Sequence, residues 1–192
     1  MSTAQSLDRL MYSVVVEDVL KGVFVHVPPG YVACVYDLGR GVLHKVLTPG
    51  LHLKVPFWQK AKLFNTQTLE YSISRDFLMH NERALGDVPV VAMTLDGKQV
   101  AVEGTILLRL NITQIPNIWQ TIGEDFVAKI VRPAIRSRVR MVKSRYAHAD
   151  IIGMRRTEVE AELKRELEQI FAERGIFVEN VLLSEVGEVE VE

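Results

Sequence analysis

The sequence has little cysteine, few aromatic residues and no long uninterrupted apolar run. Its 192 residues include one cysteine, Cys34, and 7% aromatic side chains. A single cysteine can form no internal disulfide and cannot hold a structural zinc ion by itself. This usage is typical of a reducing, intracellular compartment. Because Cys34 lies within the apolar run 32–35, we expect it to be a small buried residue.

The lack of long apolar runs also bears on membrane insertion. A transmembrane helix needs about 20 mostly apolar residues, and the best candidate, residues 10–27, is interrupted by Glu17, Asp18 and Lys21. Residues 1–13 do not follow the pattern of a signal peptide. The sequence therefore predicts no transmembrane helix and no signal peptide. It favours an intracellular protein that is cytoplasmic or peripherally associated with a membrane.

Residues for catalysis or metal binding show no recognisable arrangement. The five histidines are scattered, and no two lie four residues apart, as in a zinc-binding helix. The chain has neither a glycine-rich phosphate loop nor a Gly-x-Ser-x-Gly nucleophile elbow. We therefore predict no catalytic, metal-binding or cofactor-binding residues, no cofactor, and a protein that is not an enzyme.

The first half of the chain is predicted to consist of short strands. A lead-in over residues 1–29 ends at a Pro-Pro-Gly turn signal, and short apolar runs then alternate with turn residues. These runs are residues 32–36, 42–47, 51–55 and 60–73. Residues 74–88 have no periodicity and are predicted to form an exposed loop.

The clearest pair of strands surrounds Asp96 and Gly97. An Asp-Gly pair between two apolar runs, here residues 90–94 and 98–112, is a strong signal for a β-hairpin. In the second run apolar and polar side chains alternate, which indicates a half-buried antiparallel strand.

Beyond residue 112 the apolar period changes from 2 to about 3.6, which predicts helices over residues 115–122 and 124–146. Pro133 is expected to end or kink the first turns of the second of these. A third helix is predicted to begin at the capping box formed by Thr157 and Glu160 and to end at Gly175. A final strand over residues 176–186 completes an order of elements typical of an α+β fold.

The net charge of −1 conceals two blocks of opposite sign. Residues 129–156 carry a net charge of +8, and residues 158–192 carry −8. Within the basic block, a stripe at helical spacing is formed by Arg132, Arg136, Arg140 and Lys143.

Three interpretations of this stripe stay open at this point. It is an anion-binding ridge for nucleic acid or lipid headgroups, a solvated or intramolecularly paired helix face, or a contact with the acidic block of a neighbouring copy. The stripe has no interleaved aromatic residues and the pI is about 6.5, so we predict no nucleic-acid partner. The residues predicted to form an oligomer or partner interface are Arg132, Arg136, Arg140, Lys143, Glu158, Glu162 and Glu166.

Several segments, taken in order, resemble the band-7 (SPFH) superfamily, which includes stomatins, prohibitins and flotillins. They are residues 27–35 (VPPGYVACV), 39–41 (GRG), 47–57 (LTPGLHLKVPF), 94–102 (TLDGKQVAV), 130–140 (IVRPAIRSRVR) and 175–183 (GIFVENVLL). The resemblance implies an α+β SPFH domain with mostly antiparallel or mixed sheets in two subdomains, and with helices packed on the second. Its expected divisions are residues 1–29, 30–95, 96–186 and an acidic tail over 187–192.

The resemblance also implies a function. It predicts a non-catalytic scaffold that forms homo-oligomers and organises or regulates membrane-associated proteins, such as a membrane protease or a channel. The alternative is a peripheral adaptor whose basic helix binds a separate acidic partner or anionic lipid. The family's usual membrane anchor and long coiled coil have no counterpart in these 192 residues, so the sequence represents either a minimal member or a fragment.

The resemblance further implies that the first part of the domain faces the bilayer. The aromatic pair Phe57 and Trp58 is suited to a membrane interface, although it could equally belong to the core. In the lead-in, Leu10, Met11 and Val14 share a helical face that either rests on a bilayer surface or packs on protein.

Overall fold

The computed structural model describes residues 22–75 and 85–188, which form an α+β fold, as the sequence predicts. The strands are β1 (Phe24–Val27), β2 (Tyr31–Asp37), β3 (Gly41–Val42), β4 (Gly50–Leu53), β5 (Gln59–Asn65), β6 (Leu69–Ile73), β7 (Leu85–Asp87), β8 (Val90–Met93), β9 (Gln99–Leu110) and β10 (Ile176–Glu188). The α-helices are α1 (Ile115–Thr121), α2 (Arg132–Lys143), α3 (His148–Ile152) and α4 (Arg156–Ala172).

The first part of the fold holds two small antiparallel sheets. Strands β1 and β4 form a two-stranded ribbon, and β2 lies between β3 and β5 in a three-stranded sheet. Four consecutive residues of β2, the central strand of its sheet, are buried, from Val32 to Val35. The burial of Cys34 confirms the prediction made from its apolar run.

The second part is a five-stranded sheet built around the long strand β9. Strand β10 pairs antiparallel with one edge of β9, while β6 and β8 share the other edge and β7 adds in parallel to β6. The predicted hairpin is confirmed as β8 and β9, with Gly97 at a φ of 77° in the turn. The predicted alternation along β9 is confirmed only in its second half, where Ile106 and Leu110 are buried and Arg109 is exposed. Residues 100–104 are all buried, so the first half of the strand is covered on both faces.

Two strand predictions are corrected by long-range pairing. Residues 85–87, inside the predicted exposed loop 74–88, form strand β7. This strand exists because it pairs with β6, and local periodicity carries no signal of that pairing. The long run 60–73 divides into β5 and β6, so the sheets change at residues 66–68. The subdomain division at residues 95 and 96 stays a prediction.

The predicted long helix 124–146 has two different geometries. A π-helical turn over Val127–Val131 leads into α2, and Pro133 lies in the first turn of α2. Proline lacks an N–H, and its ring clashes with the carbonyl four residues earlier in a regular α-helix. The wider π-helical turn lies directly before the turn that contains Pro133, so the helix changes geometry at the proline. The apolar stripe packs as predicted, with Val131, Ile135 and Val139 buried.

Helix α4 packs on β10 and α2, and its core face contains Val159, Leu163 and Phe171. The predicted capping box is wrong. Arg155 is the N-cap residue and makes no side-chain cap, and Thr157 lies within the helix. The Glu160 carboxylate instead accepts a hydrogen bond of 2.9 Å from the backbone N–H of Leu183 on β10.

Candidate functional surfaces

An exposed apolar surface lies where the β1–β4 ribbon leads into β5. Phe24 lies opposite Leu53 in the ribbon, and both side chains are exposed. We define the apolar tip as Leu51, Leu53, Val55, Phe57 and Trp58, whose exposed fractions are 65, 71, 54, 87 and 53%. Large apolar side chains that cluster at a surface in this way mark a site of contact with a protein or a membrane.

The structure places the predicted residues Phe57 and Trp58 at the surface rather than in the core. The sequence prediction named only these two residues of the apolar segment as contact residues, and the structure adds Leu51, Leu53 and Val55. Their signal is the spacing of two residues that continues to Phe57, with His52, Lys54 and Pro56 between them. Apolar residues at this spacing share one face of an extended chain, and here that face points away from the core.

The loop that carries the tip is held by the side chain of Gln59. Its Oε1 accepts from the Val55 N–H at 3.0 Å, and its Nε2 donates to Oδ2 of Asp37 at 2.9 Å. Asp37 also accepts from the side chain of Arg40 at 3.0 Å. Hydrogen bonds from Gln59 and Arg40 hold the pKa of Asp37 well below its ordinary value. This anionic residue therefore anchors the loop to β2.

Phe57 has an unusual backbone conformation. Its φ is 63°, in the left-handed region that bulky residues rarely adopt. Strain of this kind persists only where surrounding bonds impose it, and here the Trp58 N–H donates to the Pro56 carbonyl at 2.7 Å. The strained turn presents the Phe57 ring to solvent, which favours a function for that ring.

The predicted membrane contacts Leu10, Met11 and Val14 lie outside the residues that the structure describes. Within the described ranges, no helix combines the length and the apolar character needed to cross a membrane.

The basic stripe lies against the edge of the five-stranded sheet. Asp87 on β7 pairs with Arg136 at 2.6 Å and with Arg132 at 3.7 Å. Arg132 also donates to the Gly86 carbonyl at 3.0 Å, and Arg140 donates to the Val91 carbonyl at 3.2 Å. These arginines therefore bind backbone and carboxylate oxygens of their own chain.

The acidic block meets the basic block within the same molecule. Arg145, which follows α2, binds Glu162 on α4 and lies 3.3 Å from Glu166. Arg138 lies 3.6 Å from Glu166. We call these contacts the α2–α4 seam. Of the interpretations that the sequence left open, intramolecular pairing therefore describes much of this surface.

The seam also includes a tyrosine. The Tyr146 hydroxyl donates to Glu162 at 2.5 Å. This hydrogen bond and the neighbouring Arg145 lower the pKa of Glu162. Glu162 is therefore a carboxylate that the fold holds in its charged form.

The remaining predicted interface residues lie apart from one another. Glu158 is exposed and pairs with Arg155 at 3.0 Å. Lys143 is fully buried, and its amine makes no hydrogen bond in the described structure. The prediction that Lys143 contributes to a basic surface is therefore corrected, because the side chain points inward at the packing of α2 on α4.

Groups that could hold a metal ion do not converge in the described ranges. No group of three or more histidine, cysteine, aspartate or glutamate side chains there is arranged to hold a metal ion. Burial raises the pKa of the Cys34 thiol to about 11, so this thiol is neutral at physiological pH and behaves as a small apolar side chain.

Comparison with known proteins shows similarity to prohibitins. The chain is 27% identical over 159 residues to prohibitin-1 of Schizosaccharomyces pombe, which covers 82% of this chain and 50% of that protein. It is 24% identical over 166 residues to prohibitin 1 of Gallus gallus, covering 86% of this chain and 55% of the relative. A mitochondrial prohibitin-7 of Arabidopsis thaliana is 22% identical over 162 residues, covering 84% and 51%.

This chain therefore spans about half the length of the curated relatives it matches. The model of the SPFH domain / Band 7 family matches residues 25–190, which is most of the chain. At the level of the family, this supports a scaffold-type, membrane-associated role. The ordered motifs, the α+β fold and this match together show that the chain belongs to the SPFH domain / Band 7 family.

Proposed function

We propose that this protein is a non-catalytic SPFH scaffold that docks on a membrane surface through its apolar tip, forms homo-oligomers, and organises membrane proteins such as a protease or a channel. The observation that carries the proposal is the tip itself. Its five large apolar side chains project from β4 and from the following loop, which Gln59 and Asp37 hold in place.

The amphipathic character of the tip supports a bilayer as the contacted surface. The indole of Trp58 is half exposed. Tryptophan prefers the interface between headgroups and acyl chains, where its apolar ring and its N–H are both accommodated. Leucine and phenylalanine side chains beside it supply the apolar area that drives interfacial binding.

Vesicle co-sedimentation of the full chain tests this docking. We expect Leu53→Ser to weaken binding about tenfold, since partial burial of one leucine in the interface contributes about that factor. Leu95→Ser is the matched control, because Leu95 is 70% exposed at the β8–β9 turn and Leu53 is 71% exposed in the tip. Equal losses in both variants, or no binding by the native chain, would contradict docking through the tip.

The alternative function, an adaptor whose basic helix binds an acidic partner or anionic lipid, has weaker support. Arg132, Arg136 and Arg140 already bind oxygens of β7 and β8. An external partner would have to replace those contacts.

A further inference from the structure

The segment that forms the tip has an unusual charge distribution. From residue 38 to residue 69 the chain contains five basic residues and no aspartate or glutamate. The five are Arg40, Lys45, Lys54, Lys60 and Lys62. Although the whole chain has a net charge of −1, the segment that carries the apolar tip therefore has a local excess of positive charge.

Two of these five charges are neutralised within the fold. Arg40 pairs with Asp37 at 3.0 Å, and Lys62 pairs with Glu124 at 2.5 Å. Among the residues that the structure describes, Lys45, Lys54 and Lys60 form no ion pair with a carboxylate. Their charges are therefore available to an external anion.

Lys54 and Lys60 lie beside the tip. Each is three residues from Phe57, on opposite sides of the loop, and the Lys54 amine lies 3.4 Å from the Gln59 carbonyl. Lys60 is exposed and lies opposite Tyr36 in the pairing of β2 with β5. Because β4, β5 and Gln59 hold both ends of the loop, the backbone of each lysine is held on one side of Phe57.

A lysine next to inserted apolar side chains can reach the headgroup layer. Its methylene stem covers apolar surface while its ammonium stays in the polar layer. Anionic lipids give this layer a net negative charge, and each lysine near it adds a roughly constant amount to the free energy of binding.

We propose that the tip prefers anionic to zwitterionic bilayers and that Lys54 and Lys60 are the residues that recognise the anionic headgroups. This inference rests on the proposed docking of the tip on a membrane. It assigns recognition of anionic lipid to the loop of β4 and β5 rather than to the basic stripe of α2, whose arginines contact Asp87, Gly86 and Val91.

The test measures binding of the full chain to vesicles of phosphatidylcholine alone and of phosphatidylcholine with phosphatidylglycerol. Each lysine near an anionic surface contributes about fivefold in affinity. We therefore expect Lys54→Gln with Lys60→Gln to weaken binding to the anionic vesicles about 25-fold and to leave binding to the zwitterionic vesicles unchanged. Added salt should weaken only the anionic binding.

The matched control is Arg165→Gln with Arg174→Gln. It removes the same charge from two exposed residues, one near the middle of α4 and one two residues beyond its end, and neither side chain makes an ion pair among the described residues. We expect the affinity of this control variant for the anionic vesicles to fall less than twofold. A loss equal to that of the lysine variant would show an effect of net charge alone and would overturn the proposal.

Two further outcomes separate this inference from the proposed function. Equal binding of the native chain to both kinds of vesicle would overturn the lipid preference and leave membrane docking intact. Binding to neither kind, together with self-association that Phe57→Ser abolishes, would assign the tip to a second copy of the chain and overturn both.

Discussion

At the scale of single residues, Lys143 shows how burial changes a charge. The side chain is fully buried, and its amine has no hydrogen-bond partner in the described structure. Burial, the largest cause, and the nearby Arg156 together lower the pKa of this amine to about 7, while Glu160 acts in the opposite direction. The folded protein therefore contains a neutral lysine at alkaline pH.

This burial predicts a dependence of stability on pH. In the unfolded chain the amine has an ordinary pKa near 10.4 and binds a proton that the folded state releases above pH 7. The free energy of unfolding should therefore rise as the pH increases from 7 to 9. Lys143→Met should remove this rise and stabilise the fold at pH 7, by on the order of 4 kcal/mol at most.

Urea unfolding at a series of pH values measures this effect. The series stops at pH 9 because Cys34 has an opposite effect at higher pH. Its pKa is raised in the folded state, so the thiol ionises first in the unfolded chain and the free energy of unfolding falls. Lys129→Met, at an exposed lysine, serves as the control and should keep the native pH dependence. A native stability that is flat or falling between pH 7 and 9 would refute the prediction.

At the scale of elements, the α2–α4 seam fixes one helix against the other. Glu162 binds both Arg145 and the Tyr146 hydroxyl, whereas Glu158 on the same helix is more exposed and binds Arg155 alone. We expect Glu162→Gln to lower the free energy of unfolding by about 1 kcal/mol, because a charge-assisted hydrogen bond and an ion pair are both weakened.

Glu158→Gln is the matched control for the seam, and its effect should stay within about 0.5 kcal/mol. Chemical denaturation of both variants in low salt measures the difference. Equal effects would mean that the seam is an ordinary solvated surface.

Sequence patterns predicted the elements whose neighbours are close in the chain. The β8–β9 hairpin, helix α4 and strand β10 were predicted because periodicity and turn residues act locally. Strand β7 was missed because its three residues acquire their partner through parallel pairing with β6. The predicted capping box did not form, because α4 begins one residue before Thr157 and Glu160 accepts instead from Leu183 on β10.

At the scale of the whole molecule, the opposite charges of the two blocks no longer explain self-association. Much of the basic block pairs with Asp87, Glu162 and Glu166 of the same chain. Homo-oligomers, which we propose, should therefore depend mainly on apolar contacts.

Light scattering across a salt series tests this expectation. We expect an oligomer whose mass changes little between low and high salt, because apolar contacts are not screened. Dissociation at high salt would show that charges pair between copies. A monomer at every protein concentration would remove self-association from the proposed function.

The sequence by itself determined the fold class, the family motifs and the residues that face the core, because alternation and helical spacing reflect local geometry. It also identified Phe57 and Trp58 as candidate membrane contacts, without deciding whether they lie in the core or at the surface. The tertiary structure decided that they are exposed, that Lys143 is buried, and that Arg136 binds Asp87. The physical reason is that a side chain's burial and charge partners depend on which distant segments pack against it.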